Sequence, residues 1–458
     1  MTRAFLYIMI LALAGCQGPN PNPETPEKAE ASTAAVDLGM HPDWTAQSSI
    51  YEVNIRQHTP EGTLNAFAEK LPELKELGVE ILWLMPVQPI GVKNRKGGLG
   101  SYYSISDYTA INPEFGTMED FKNLVKEAHD MGFKVILDWV ANHTAYDHVW
   151  TETRPEWYTR VDGEIVSPND DWTDVADLNY DAPGLRQAMR EAMKFWVEEA
   201  DIDGFRCDVA YMVPMEFWNR TRAALDSLKP VFMLAEAEGP EFHDQGFDMT
   251  YGWELHHLMN EIAAGNRKLT ALDEYREKED SLYGPNDYRM FFTTNHDENS
   301  WNGTIEDRLG KNAKNFFVLC ATFPNSMPLV YSGQEYGLNK ALSFFEKDTV
   351  VATDSSLFDW YAQIIGLKMA HPSLKMGRLQ GDYQGLSADE NSFGYLREKD
   401  GNLLVVALNF GDIPATVTLP PDIDASALED AFTAEPAKLN GAEIELDPHS
   451  YKLFSLTP

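Results

Sequence analysis

The chain has 458 residues, of which 43% are hydrophobic and 12% aromatic, enough for a large core with one or two satellite units. Lys and Arg total 37 against 72 Asp and Glu, a formal charge of -35. That balance argues against nucleic acid or an anionic phospholipid surface as a partner, because both need a positive footprint. It fits a secreted or salt-exposed protein with a neutral ligand.

The N-terminus opens with Thr2-Arg3 and continues in an apolar stretch, Phe5 to Leu13, too short to span a bilayer. Small residues then lead to a cysteine at Leu13-Ala14-Gly15-Cys16, which resembles a bacterial lipoprotein signal. The resemblance implies a signal peptide over 1–15 and a lipid anchor on Cys16. It also implies a place in the bacterial cell envelope, on the periplasmic or surface face of the outer membrane, with that lipid as the sole membrane contact. Residues 16–40 are rich in Pro and Glu and lack aromatic rings, the composition of a disordered tether. The remaining cysteines, Cys207 and Cys320, make neither a disulfide framework nor a zinc site and read as buried free thiols.

From residue 50 onward, short β-rich runs alternate with helical stretches. The runs are Ser49 to Val53, Glu80 to Met85, Lys134 to Asp138, Gly204 to Asp208, Val231 to Glu236, Phe247 to Met249, Met290 to Thr294 and Pro328 to Ser332. Amphipathic segments such as Leu64 to Leu77, Met118 to Met131 and Leu185 to Ala200 lie between them. Eight β-then-α repeats predict a (β/α)8 TIM barrel over 41–138 and 185–375, with functional groups at the C-terminal strand ends. Residues 139–184, rich in Trp, Tyr, Asp and Pro, interrupt the rhythm and predict a small domain inserted after the third strand. Residues 376–458 carry alternating runs such as Ser392 to Arg397 and Leu403 to Asn409, the pattern of a C-terminal all-β sandwich domain.

Three apolar runs end in an acid: Asp203-Gly-Phe-Arg-Cys-Asp208, Phe232-Met-Leu-Ala-Glu236 and Phe291-Phe-Thr-Thr-Asn-His-Asp297. Three carboxylates gathered at one barrel rim point to glycosidic chemistry. Such chemistry needs one carboxylate to attack the anomeric carbon, a protonated one to release the leaving oxygen, and charge to stabilise the transition state. Arg206 lies two residues before Asp208 on the same strand face, so it is expected to hold the Asp208 pKa down. The dry neighbours of Glu236 are expected to raise its pKa. Glu238 competes with Glu236 by strand alternation but lies beyond the strand end.

Asp138-Trp-Val-Ala-Asn-His143, Gly204-Phe-Arg-Cys-Asp208, Glu236 and Asn295-His-Asp297 occur in the order of the four signature regions of the α-amylase family, glycoside hydrolase family 13. Gly100 to Tyr108, Val175-Ala-Asp-Leu-Asn179 and Met327 to Glu335 resemble further motifs of that family, so the likeness runs from about residue 45 to 340. The resemblance implies Asp208 as nucleophile, Glu236 as acid/base and Asp297 as the third acid. It also implies Arg206, His143 and His296 as groups that hold the site or the sugar, and Tyr103, with Tyr102 as its rival, as the ring under the innermost sugar. The implied partner is an α-glucan such as starch or maltodextrin, cleaved with retention of configuration. A transglycosylase, an α-1,6- or cyclodextrin-acting relative, and a non-catalytic glucan-binding lipoprotein are the alternatives.

The chemistry calls for no cofactor. Asn142 matches a family ligand for structural calcium, but the run after Asp208 is Val209-Ala-Tyr-Met212, where many relatives have Lys-His, and the loop Lys93 to Gly98 is basic.

Overall fold

The computed structural model describes residues 41–456. The signal and tether readings over 1–40, Cys16 among them, lie outside the described residues. Eight parallel strands close into a barrel: β1 (Ile50–Val53), β2 (Ile81–Leu84), β3 (Lys134–Trp139), β4 (Gly204–Cys207), β5 (Phe232–Ala235), β6 (Met249–Tyr251), β7 (Tyr288–Phe291) and β8 (Ser326–Tyr331). Closure is made by β1, where Ile50 registers with Ile81 of β2 on one side and Leu329 of β8 on the other. Helices cover the outer face of a parallel barrel while side chains fill its interior. Its strands therefore read as continuous apolar runs, and nearly every residue of the eight is buried.

The helix Met118–Asp130 illustrates the outer layer. Thr117 and Asp120 form a capping box at its start, and Phe121, Leu124, Val125 and Ala128 place one apolar stripe on the strands beneath. Closer to the reacting end, Gly204 opens β4 with φ +157°, and a Cβ there would lie 1.9 Å from the Phe232 carbonyl oxygen. Only glycine lets β4 approach β5 this closely. The strand that carries Arg206 is thereby seated against the strand that ends in Glu236.

Two strand ends differ from their sequence expectation. The run expected at Phe247 to Met249 is a strand at Met249–Tyr251, because the polar Thr250 is accommodated inside it: its hydroxyl meets Arg289 and His243. The run expected at Met290 to Thr294 ends at Phe291. Asn295 caps the helix His296–Trp301 by accepting from the Glu298 N–H at 2.8 Å, so Phe292 to Thr294 serve as its approach.

The segment after β3 is built on an antiparallel pair, His143–Ala145 against Val175–Asp177, with a short helix at Val149–Thr153 and a small hairpin at Arg160–Val161 and Glu164–Ile165. Beyond the helix Ser356–Ala370 the chain is all-β. A five-stranded sheet, with Ser392–Lys399 and Asn402–Asn409 at its centre, faces a three-stranded sheet around Leu396, Val405, Val417 and Ile444. Arg397, buried, ties this module to the barrel by donating to the carbonyls of Thr322, Ser373 and Gly381. Cys207 and Cys320 are buried free thiols. Among the described residues no helix is long and apolar enough to cross a membrane.

Candidate active site

The C-terminal ends of the barrel strands converge on a cavity of about 880 Å³. Asp208, Glu236 and Asp297 all line it, together with Tyr103, His143 and His296. Strand register explains the gathering. Asp138 on β3 lies opposite Arg206 on β4, and Cys207 opposite Ala235, so Asp208 and Glu236 follow their strands at neighbouring positions of the rim.

Arg206 is the hub, fully buried. Its Nη1 donates to Asp138 Oδ1 at 2.9 Å and to Asp208 Oδ1 at 3.0 Å, and its Nη2 pairs with Glu236 Oε1 at 2.9 Å. Its Nε donates to the Tyr251 hydroxyl, and the Trp83 ring lies 5.0 Å below the guanidinium carbon. One cation thus faces three carboxylates.

That division corrects one expectation. Burial pushes the Asp208 carboxyl well above the usual range and the neighbouring Glu236 carboxylate adds to the rise, with Arg206 offsetting them only in part. Arg206 does pull Asp208 down, as its placement predicts, but a guanidinium shared three ways does not overcome desolvation. Glu236 is raised as expected, by burial first and by the Asp297 charge, against Arg206 and the Val209 N–H. Two adjacent carboxyls held up in this way titrate as a pair and retain a proton more readily than isolated acids.

The turn after β4 is strained. Val209, a β-branched residue, sits at φ +36°, and its N–H donates to Glu236 Oε2 at 2.7 Å. The left-handed turn aims a backbone donor at the carboxyl of the next strand.

The two histidines differ in charge. Burial lowers His143 to about 3, which leaves it neutral, and Asn142 sits 3.3 Å from its Nδ1. His296 goes the other way: burial alone would lower it, yet the Asp297 and Glu52 carboxylates raise it to about 9. Its Nε2 lies 2.8 Å from the Tyr103 hydroxyl and 3.4 Å from Asp297 Oδ2. A neutral and a charged imidazole therefore line one pocket.

Tyr103 donates to Asp138 Oδ2 at 3.0 Å and stacks on His296 with ring centroids 5.4 Å apart. Its rival Tyr102 is buried elsewhere, with its hydroxyl on Asn54 and the Arg56 guanidinium over its ring. Glu238 also reaches the cavity wall, but its carboxylate accepts from Arg289 at 2.7 Å and from the Glu254 N–H. Asn142 is buried with its amide turned to His143, and among the described residues no three His, Cys, Asp or Glu side chains form a metal-holding group. Lys96 of the basic loop instead reaches the inserted segment directly, 3.3 Å from Asp174 Oδ1.

Several residues of the site escaped sequence reasoning. Glu52 on β1 is fully buried against His296 Nδ1, and its signal was a lone charge inside the apolar run Ser49 to Val53. Asp138 stood inside a quoted motif without a role. The wall rings are Trp172 from a loop, Trp253 from the first residue of a helix and Trp301 from the last residue of another, and none lies in a periodic run that would have marked it.

Over most of its length the chain is similar to known proteins. The sequence profile of the alpha amylase catalytic domain matches residues 40–173 and 168–356. An α-amylase structure from Lactobacillus plantarum superposes with a TM-score of 0.82 at 29% identity, over 90% of this chain and 99% of that one. A maltogenic α-amylase of Thermotoga neapolitana gives 0.80 at 28% identity, over 90% and 99%. The α-amylase MalA of Haloarcula japonica is 27% identical over 405 residues, 84% of this chain and 59% of that protein's own length, so the chain spans well under two thirds of it. With the profile covering most of its barrel and the fold matching throughout, the chain belongs to the α-amylase family.

Proposed function

We propose that this protein is a retaining α-glycoside hydrolase of the α-amylase type that cleaves α-glucosidic bonds in starch, maltodextrins or related oligosaccharides. The observation that carries the reading is the Arg206 hub, which fixes Asp208 and Glu236 on adjacent nitrogens of one guanidinium beside the cavity. A retaining enzyme needs its two carboxyls about 5 Å apart, without room for a water between nucleophile and sugar. Asp208 in its ionised form attacks the anomeric carbon while Glu236 protonates the leaving oxygen. Glu236 then takes a proton from water, which displaces Asp208 and returns the α-anomer. Asp297 and the His296 imidazolium grip hydroxyls of the reacting sugar, and Tyr103 supports its face.

Rings set the course of the chain through the pocket. Tyr211, 64% exposed on the turn after Asp208, lines the pocket beside both Glu236 and Asp208. Trp301, 56% exposed on the helix after β7, packs on Phe344, which lies parallel to Tyr103 with centroids 6.4 Å apart. The β4 and β7 ends are three strands apart around the barrel, so the two rings stand on different sides of the mouth. This supports an open cleft gripping several sugars on both sides of the bond. The exposed Tyr211 also favours a second reading, transfer to an acceptor sugar stacked there.

Proton NMR of maltoheptaose digestion tests both. The α-anomer should appear first, and chromatography should show short maltooligosaccharides. Products longer than the substrate at high concentration mark transfer, and a first-formed β-anomer refutes the reading.

The signal at Leu13 to Cys16 supports a lipid anchor on Cys16, and with it a place in the cell envelope. Full-length protein should sediment with membranes from the producing cell, and Cys16→Ala should release it; an unchanged distribution contradicts the anchor.

A further inference from the structure

Glu52 has no part in the roles above, yet it is the group most deeply committed to them. It sits in the middle of β1, fully buried, between Tyr51 and Val53. One carboxylate oxygen takes the Nδ1 proton of His296 at 2.5 Å, and the other has no hydrogen-bond partner among the described residues. A buried carboxylate costs several kcal/mol unless a cation offsets it, and among the described residues the one cation in contact with it is the His296 ring. An apolar residue would fill a barrel interior at no such cost, so the acid is retained for what it does to the histidine.

We propose that Glu52 is a positioning residue that, from the first barrel strand, keeps the His296 ring charged and turned so that its Nε2–H faces the sugar pocket. The geometry leaves little freedom. Nδ1 is fixed on Glu52, the ring stacks on Tyr103 and stands edge-on to Trp83 with centroids 6.0 Å apart, and Nε2 therefore points to the Tyr103 hydroxyl and Asp297. The surrounding charges come from every side of the barrel. Glu52 from β1, Asp138 from β3, Glu236 after β5 and Asp297 beside the ring favour the imidazolium, while Arg206 from β4 opposes it. Tyr251 and Tyr331, whose hydroxyl pKa values are raised foremost by burial, face Glu52 as neutral groups. Among the acids, Glu52 alone binds Nδ1, so it alone sets the orientation as well as the charge. A charged Nε2–H donates a shorter and stronger hydrogen bond to a sugar hydroxyl than a neutral ring does, and so holds the sugar in place.

Only the kinetic arm of the test rests on the glycosidase reading. Histidine ring NMR of the full-length wild-type protein, with His296 assigned by its loss in His296→Asn, should show both ring nitrogens protonated at pH 7.5; a neutral His296 ring there overturns the proposal without any substrate. In Glu52→Gln the His296 titration should move down by at least about one pH unit. The alkaline limb of kcat/KM on maltoheptaose should move down with it, so the loss of activity is several-fold greater at pH 8.5 than at pH 6. Should Glu52→Gln fail to fold, the wild-type titration still decides. A Glu52→Gln protein with the wild-type His296 titration, or with a uniform loss of activity at all pH values, overturns the proposal. A charged, Glu52-bound His296 in a protein that turns over no glucan would sink the glycosidase reading and leave this one standing.

Discussion

Asp208→Asn is expected to lower kcat on maltooligosaccharides by roughly ten-thousandfold or more while leaving the protein folded and at least as stable as the wild type at pH 7. The kinetic part follows from removing a nucleophile that no neighbouring group replaces; losses of this order accompany deletion of a covalent nucleophile. The stability part follows from electrostatics. Burial and Glu236 hold the Asp208 carboxyl well above its ordinary range. A carboxyl raised on folding contributes stability that is complete below its unfolded pKa and is lost as pH rises through the folded one. At pH 7 the wild type bears that loss and the amide does not. The amide oxygen still accepts from Arg206 where Oδ1 did. Circular dichroism melts at pH 7 alongside initial rates check both halves, and a melting temperature several degrees lower would contradict the electrostatic half.

Arg206→Met is expected to do the opposite to stability. Deleting the hub leaves Asp138, Asp208 and Glu236 facing one another in a dry site with no cation between them. Breaking a buried ion network from one side costs about 3–5 kcal/mol. The sign of the pH dependence is fixed by the same carboxyls. Without the guanidinium their folded pKa values rise further, so the variant binds more protons when folded than when unfolded, and its deficit against wild type grows from pH 5 to pH 8. Urea unfolding at the two pH values measures this. Equal deficits would mean that the three acids do not share Arg206 in solution. Activity should fall roughly a thousandfold as well, since the pair loses its spacing and Asp208, with its pKa raised further, is less often the ionised nucleophile.

How far the sequence carried these conclusions depended on whether a feature was local. The barrel was legible because each strand is an apolar run buried on both faces; Asp208 and Glu236 were legible because each ends such a run, and Asp297 because it follows one within a few residues. Thr250 and the Phe292 to Thr294 stretch blurred two strand ends, since whether a residue joins a ladder depends on Arg289 and Asn295 rather than on itself. The charge state of Asp208 could not be read from Arg206 two residues away. It is set first by burial and then by Glu236, 28 positions downstream, and Asp138, 70 positions upstream, which claim the same guanidinium. Glu52 was in plain view as an acid in a buried strand, but its partner His296 lies 244 positions away. Burial and pair identity are long-range properties, and neither the loop that carries Trp172 nor the short helix that ends in Trp301 has a periodicity to reveal it.

The central claim is a covalent glycosyl-enzyme on Asp208, and trapping tests it most directly. In Glu236→Gln, α-maltosyl fluoride loses its fluoride without acid help, while the amide cannot activate the water that would release the sugar. Mass spectrometry of the digested protein should then find a maltosyl group on the peptide that contains Asp208. Fluoride release with the Asp208 peptide unmodified, or the sugar on another side chain, would contradict the account.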